Sequence, residues 1–186
     1  MTRRIIKTHD GSESLFVEEL NEHYHSIHGA RNESLHVFIQ NGLIFSLKDK
    51  NSIRILELGF GTGLNALLSL LEIQNHQDYR IHYTGIEKYP LDETLWSKLN
   101  YAENETESLL FKKLHQCNWG NSTEIIPNFK LLKLEADIES YSFEQNIFDI
   151  VYFDAFAPTK QSELWSDSIF SKMFSCMKPG AILVTY

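Results

Sequence analysis

The stretch Glu57–Asn65, ELGFGTGLN, constrains the fold of this chain more than any other. Glycines at 59, 61 and 63 separate two apolar runs, SIRILEL (52–58) and GLNALLSLLEIQ (63–74). The first reads as a buried strand and the second as a helix that begins at the glycines. Glycine in such a turn permits a tight reversal and close approach of a ligand to the backbone, with free N–H groups at the helix start.

Strand-like and helix-like segments continue to alternate. RIHYTGIE (80–87) reads as a second strand, with a helical pattern through 92–116 after it, and FKLLKLEA (129–136) as a third strand. IFDIVYF (147–153) is apolar enough to be a strand buried on both faces. ELWSDSIFSKMFSCM (163–177) follows as a helix closed by Lys178-Pro179-Gly180, and AILVTY (181–186) as a fifth strand. Upstream, NESLHVFIQN (32–41) places Leu35, Phe38 and Ile39 on one helical stripe, with Asn32 as a cap and Asn41-Gly42 as a stop. The order predicts an α/β, doubly wound, mostly parallel sheet over 52–186. An N-terminal segment, 1–51, would carry a helix that covers the site. At 186 residues the whole is one domain.

A net charge of −8 disfavours a surface that embraces nucleic acid throughout and leaves room only for a local basic patch. The N-terminus lacks the apolar stretch of a signal peptide, and no apolar run reaches membrane-spanning length. Cys117 and Cys176 stand far apart, with no disulfide framework, which suits a reducing cytoplasm.

In doubly wound sheets, ligands sit beyond the carboxyl ends of the strands. Those positions hold Glu57 to Gly63, Glu87, Asp137 and Asp154. The dinucleotide pattern G-x-G-x-x-G fails, because the third residue after Gly61 is Leu64, and no Gly-Lys-Ser/Thr is present. An acidic-x-G-x-G-x-G turn suits S-adenosylmethionine instead, with Glu57 on its ammonium and Gly59, Gly61 and Gly63 against the methionine part. Glu87 is placed for the ribose diol, and Asp137 for the adenine amino group. Taken alone, Asp137 reads equally well as a solvated loop carboxylate. Asp154 could orient an acceptor amine for in-line attack and take its proton, or could be a turn cap.

Four stretches together resemble the methyltransferase of the MnmC-type tRNA wobble-uridine modification enzymes: YHSIHGARNESLHVFIQNGL, ELGFGTGLN, GIEKYPL and FDAFAPTKQSELW. The likeness runs in order over roughly residues 8–186. It implies a Rossmann-like, class I methyltransferase that uses S-adenosyl-L-methionine. The substrate would be the aminomethyl group of a wobble uridine in the tRNA anticodon loop, and the product 5-methylaminomethyl-2-thiouridine. It also implies cofactor contacts at Gly59, Gly61, Gly63 and Glu87, and Asp154 as the acceptor-side acid. Tyr24 and His25 lie in a stretch that it places near the active site. Phe156 could stack on the extruded base or fill the core, and Lys160 stands beside the acid. Arg3, Arg4, Lys7, Lys112 and Lys113 are further candidates for phosphate or simply solvated. The histidines at 23, 25, 28 and 36 lack metal-ligand spacing, so no metal is expected. A small-amine methyltransferase and a non-catalytic binding domain are the alternatives. The chain carries no flavin domain of the bifunctional members. It stops at the fifth strand, where the fold continues with a helix and an antiparallel hairpin, so it reads as truncated, with an exposed edge strand.

Overall fold

The computed structural model describes residues 1–48 and 50–186. The first residues form an antiparallel meander, β1 (Arg3–Lys7), β2 (Glu13–Val17) and β3 (Glu22–His23). The sequence reading did not resolve this meander, because its strands are short and polar and bury only Ser14, Leu15 and Val17. Helix α1 follows as Ala30–Ser34, widens into a π-helical stretch at Leu35–Ile44, and closes with Phe45–Leu47. Asn41-Gly42 therefore does not stop it. Gly42 is instead where the helix meets the sheet, since a Cβ there would come within 2.9 Å of Tyr152 Cε1.

The core comprises β4 (Ser52–Leu58), α2 (Leu64–Ile73), β5 (Arg80–Glu87), α3 (Glu93–Trp96), α4 (Glu105–Gln116), β6 (Ser122–Ile126), β7 (Phe129–Glu135), β8 (Phe148–Phe153), α5 (Asp167–Cys176) and β9 (Met177–Val184). The pattern at 92–116 divides into two helices, the second begun by Asn104, whose side chain accepts from Glu107 N at 3.0 Å. A 3₁₀ turn, Ser162–Trp165, precedes α5. Lys178-Pro179-Gly180 lies inside β9 rather than before it. The register shifts there between Phe148 and Ile150, and β9 is an edge strand, where proline costs no ladder bond.

The strand order is β6-β7-β5-β4-β8-β9, parallel except for β6, which pairs antiparallel with β7. The chain winds outward from β4 through β5 to β7, then returns to β8 on the other side of β4. The switch point thus lies at the carboxyl ends of β4 and β8.

Period-2 alternation divides the core between the two faces of the sheet. Ile53, Ile55, Ile150 and Tyr152 join Phe38 and Leu43 of α1 and Leu67 of α2 in one cluster. Leu56, Leu58, Val151 and Phe153 pack with Ile169 and Met173 of α5 in the other. Leu15 of the meander belongs to the first cluster, so the N-terminal segment shares the core of the sheet.

At the opposite end of the sheet from the switch point, Asp149 is buried between Lys50 Nζ (2.8 Å) and Lys178 Nζ (2.7 Å) and accepts from Arg54 N (3.0 Å). Burial alone would raise its pKa, but these donors hold it below the ordinary 3.8. A depressed carboxylate stabilises the fold above its unfolded value and loses that contribution as pH falls through its folded value. Asp149→Asn is therefore expected to destabilise the protein by about 1–2 kcal/mol at pH 7, both lysines being partly solvated. Urea melts between pH 3 and pH 7 should also show a shallower loss of stability towards acid in the variant.

Candidate active site

The glycine turn after β4 is anchored to the sheet through its backbone. Gly59 N and Phe60 N both donate to Ile86 O of β5, at 3.0 and 3.1 Å, and Asp154 N donates to Leu58 O at 3.1 Å. Gly59 has φ +85°, and a Cβ on it would lie 2.8 Å from the Asp154 carbonyl oxygen. Gly61 has φ +49°, and its Cβ would lie 3.2 Å from the Tyr24 ring. The loop is thus wedged between the end of β8 and the segment after β3, in a conformation that disfavours any side chain.

Three carboxyl groups converge on it. Glu57 is 1% exposed, and Asn65 Nδ2 donates to its Oε1 at 2.9 Å. The same Asn65 Nδ2 donates to Asp154 Oδ2 at 2.8 Å. Glu87 accepts from Gly61 N at 3.0 Å through Oε2 and from Tyr89 N at 2.8 Å through Oε1. Burial, followed by the nearby Asp154 charge, raises the Glu57 pKa well above the ordinary carboxylate value. Desolvation in the cleft wall pushes Asp154 up to about 7, against the lowering bond from Asn65. Glu57 Oε2 and Asn65 Oδ1 are buried with no hydrogen-bond partner among the described residues.

These groups line a cavity of about 280 Å³ together with Tyr24, His25, Asp137, Phe156 and Lys160. The ring of Tyr24 meets that of Phe156 edge to face at 5.1 Å. Trp165 Nε1 donates to Phe156 O at 2.8 Å and Gln161 Oε1 accepts from Phe156 N at 3.3 Å, so Trp165 clamps the loop that follows β8. Lys160, in the same loop, also lines the cavity. Asp137 lies at the edge of the cavity, ion-paired to Lys88 at 2.6 Å, with Oδ1 accepting from Glu139 N at 3.0 Å.

Several N-terminal details differ from expectation. The segment reaches the cavity through Met1, Arg3, Leu20, Tyr24 and His25, and no residue of α1 lines it. The meander covers the cleft, while the helix packs against α2 and β8 because its apolar stripe has the sheet face to bury. His25 is buried beneath the loop, with Nδ1 2.9 Å from Ser14 Oγ and Nε2 3.4 Å from Thr62 Oγ1. Burial lowers its pKa to about 4, so the ring is neutral at pH 7 and ties β2 to the glycine turn.

Of the basic candidates, only Arg3 and Lys160 reach the cavity; Arg3 Nη2 donates to Tyr89 O at 2.7 Å. Arg4 stacks on Phe16 at 4.5 Å, and Lys112 and Lys113 lie beside Cys117 at a separate shallow depression. Asn65 is the site residue that sequence reasoning passed over. Its signal was present, as one amide in the first turn of an otherwise apolar helix.

The geometry fits S-adenosylmethionine. Orphaned buried acceptors at Glu57 and Asn65 demand a donor, which an ammonium supplies, and three carboxyls suit a cation. Residues 108–186 match the family described as S-adenosyl-L-methionine-dependent methyltransferase. The crystal structure of MnmC2 from Aquifex aeolicus superposes with a TM-score of 0.83 at 28% identity, over 99% of this chain and 59% of that one. Fold and cleft together define the class: the chain has the Rossmann-like fold of S-adenosyl-L-methionine-dependent methyltransferases, and its C-terminal part is similar to that family.

Within that class it is similar to proteins named tRNA 5-methylaminomethyl-2-thiouridine biosynthesis bifunctional protein MnmC. It is 29% identical to that of Pseudoalteromonas translucida, over 90% of this chain and 29% of the relative. With that of Ectopseudomonas mendocina it shares 30% identity, over 83% of this chain and 25% of the relative. The chain therefore spans less than a third of the length of these curated relatives. No helix of the described residues is long and apolar enough to cross a membrane.

Gly59→Ala would force either the loop or the end of β8 to move. Calorimetric titration with S-adenosylmethionine is expected to show at least a tenfold weaker affinity, equivalent to ~1.4 kcal/mol or more.

Proposed function

We propose that this chain transfers a methyl group from S-adenosylmethionine to the aminomethyl substituent of a wobble uridine in tRNA, giving 5-methylaminomethyl-2-thiouridine. The observation that carries this reading is the half-buried Asp154 carboxyl, held by Asn65 at the switch point and raised to about 7. The relatives' names, which specify this modified nucleoside, supply the substrate class.

Glu57 and Asn65 would hold the cofactor's ammonium, the glycine turn its methionine part, Glu87 the ribose diol and Asp137 the adenine amino group. When bound, S-adenosylmethionine supplies an electrophilic methyl on a sulfonium. Asp154 in its ionised form accepts a hydrogen bond from the acceptor amine and directs the nitrogen lone pair. As charge develops on that nitrogen, the carboxylate stabilises it and then takes the released proton. A pKa near 7 lets Asp154 alternate between these states at neutral pH. Tyr24 and Phe156 would flank the extruded uracil, with His25 supporting the loop from below and Lys160 and Arg3 reaching the phosphates at the mouth. A tRNA substrate in turn makes the cytoplasm the place of action.

A second reading, a small-amine methyltransferase, draws support from the acidic cleft and the net charge of −8. Salt separates the two readings. Binding of tRNA should weaken steeply between 50 and 200 mM salt, whereas binding of a small monoamine should change little.

The test is transfer of labelled methyl to tRNA that bears the unmethylated aminomethyl nucleoside. Asp154→Asn is expected to lower kcat by about 10²–10⁴-fold. It should also raise thermal stability at pH 8. A carboxyl lifted from 3.8 to about 7 costs stability as pH rises through that interval, and the neutral amide removes the cost. Absence of label from the unmodified protein would overturn the tRNA reading.

A further inference from the structure

We infer that Asn65 is a positioning residue whose amide joins Glu57 and Asp154 into one hydrogen-bonded unit, so that a cation docking on Glu57 prepares Asp154 to act on the acceptor. The inference rests on the role proposed above for Asp154, and extends it to how that carboxyl is held and primed.

The chemistry of the amide group makes the case. Asn65 Nδ2 carries two hydrogens, and two acceptors on different carboxyls stand at 2.9 and 2.8 Å. Serine could serve one of them, and aspartate neither. Asparagine is a poor helix former, yet here it lies 2% exposed among Leu64, Ala66 and Leu67. Such a place is costly unless the polar group is paired. With both hydrogens committed, Asn65 Oδ1 and Glu57 Oε2 are left as buried acceptors that complete no hydrogen bond among the described residues, the unpartnered Tyr83 hydroxyl being the neutral donor beside Glu57.

Among the described residues, no buried cation stands at the pair. The titratable groups that act on Asp154 are Glu57 from β4, Tyr101 from the loop before α4, Glu33 from α1 and Tyr186 beyond β9, while Tyr83 from β5 acts chiefly on Glu57. Glu87 acts on the Glu57 end, and Tyr152 of β8 lies beside Glu57. The cations lining the cleft are Arg3, Lys88, Lys160 and the Met1 ammonium, of which Lys88 is committed to Asp137 and Met1 to Glu19. Two desolvated carboxyls bridged by one amide cannot both ionise cheaply, so they share a proton and titrate as a pair. An ammonium on Glu57 Oε2 compensates one negative charge. The shared proton can then leave to solvent, and Asp154 is ionised and already aimed by the amide when the acceptor arrives.

Proton counting tests this without catalysis. S-adenosylhomocysteine, which keeps the ammonium, is titrated at pH 7 by calorimetry in phosphate and in Tris. The protein as it stands should release a fraction of a proton on binding. Asp154→Asn, whose Glu57 has no carboxyl with which to share a proton, should release less. Asn65→Ala should bind about tenfold more weakly, and the acid limb of its kcat profile should move about one pH unit upward, as loss of a hydrogen bond to a charged group requires. Asn65→Ser should fall between, and carries the test if the alanine variant does not fold.

Two results would overturn the inference. One is equal proton release from the unmodified protein and Asp154→Asn. The other is an Asn65 variant whose kcat falls by the same factor at every pH, the mark of a packing role. If no protein transfers methyl to tRNA, the substrate reading fails, while proton release still decides the coupling.

Discussion

The cleft depends on one close approach, between the backbone of Gly59 and the carbonyl of Asp154. Two parallel neighbours, β4 and β8, run side by side and must part at their carboxyl ends for a ligand to enter. The chain after β4 turns back over the sheet within van der Waals reach of the chain leaving β8, and a Cβ at residue 59 would lie 2.8 Å from that carbonyl oxygen. This contact sets where α2 begins, and so where Asn65 sits. It also sets where the Asp154 side chain emerges. Glu87 holds one side of the turn through Gly61 N, His25 braces it from beneath through Thr62, and Tyr24 packs against Gly61. A loop with glycine at every second position can be gripped from three directions and still leave its N–H groups near a ligand.

The arrangement sets function against stability. Glu57 and Asp154 are carboxyls in surroundings that penalise their charge, with one amide between them and no buried cation nearby. At the other end of the same sheet, Asp149 shows what a structural carboxylate looks like: it is buried, but two lysines and a backbone N–H satisfy it and its pKa falls. The decisive difference between the two ends is the supply of cationic donors. A binding site for a cation must leave acceptors unsatisfied until the cation arrives, and the unpartnered oxygens of Glu57 and Asn65 are the deficit that the proposed ammonium would fill.

Much of the architecture was legible. Apolar runs at 52–58, 80–87, 129–136 and 147–153 become adjacent parallel strands: 148–153 is buried at every residue, and the other three bury at least every second side chain, so each leaves a clear pattern. The features missed are those whose burial is partial or borrowed. The meander is too short and polar to show a period. The antiparallel strand β6 is half exposed at an edge. Helix α1 runs past Asn41-Gly42 because Leu43 finds the sheet to pack on, which outweighs the local stop signal.

For the site, the sequence by itself determined the glycine turn and the carboxyls at the strand ends, because turn geometry and strand termini are local properties. From these came the class of cofactor. Only the tertiary structure decided how those carboxyls relate. It joined Glu57 to Asp154 through Asn65, committed Asp137 to Lys88, and made His25 a neutral brace. It also laid the meander, not the helix, over the cleft. Each of these is a contact between segments distant in the chain, such as Asn65 with Asp154, 89 positions away. Their energies come from desolvation and from donors that only the folded chain brings together, so no local pattern could carry them.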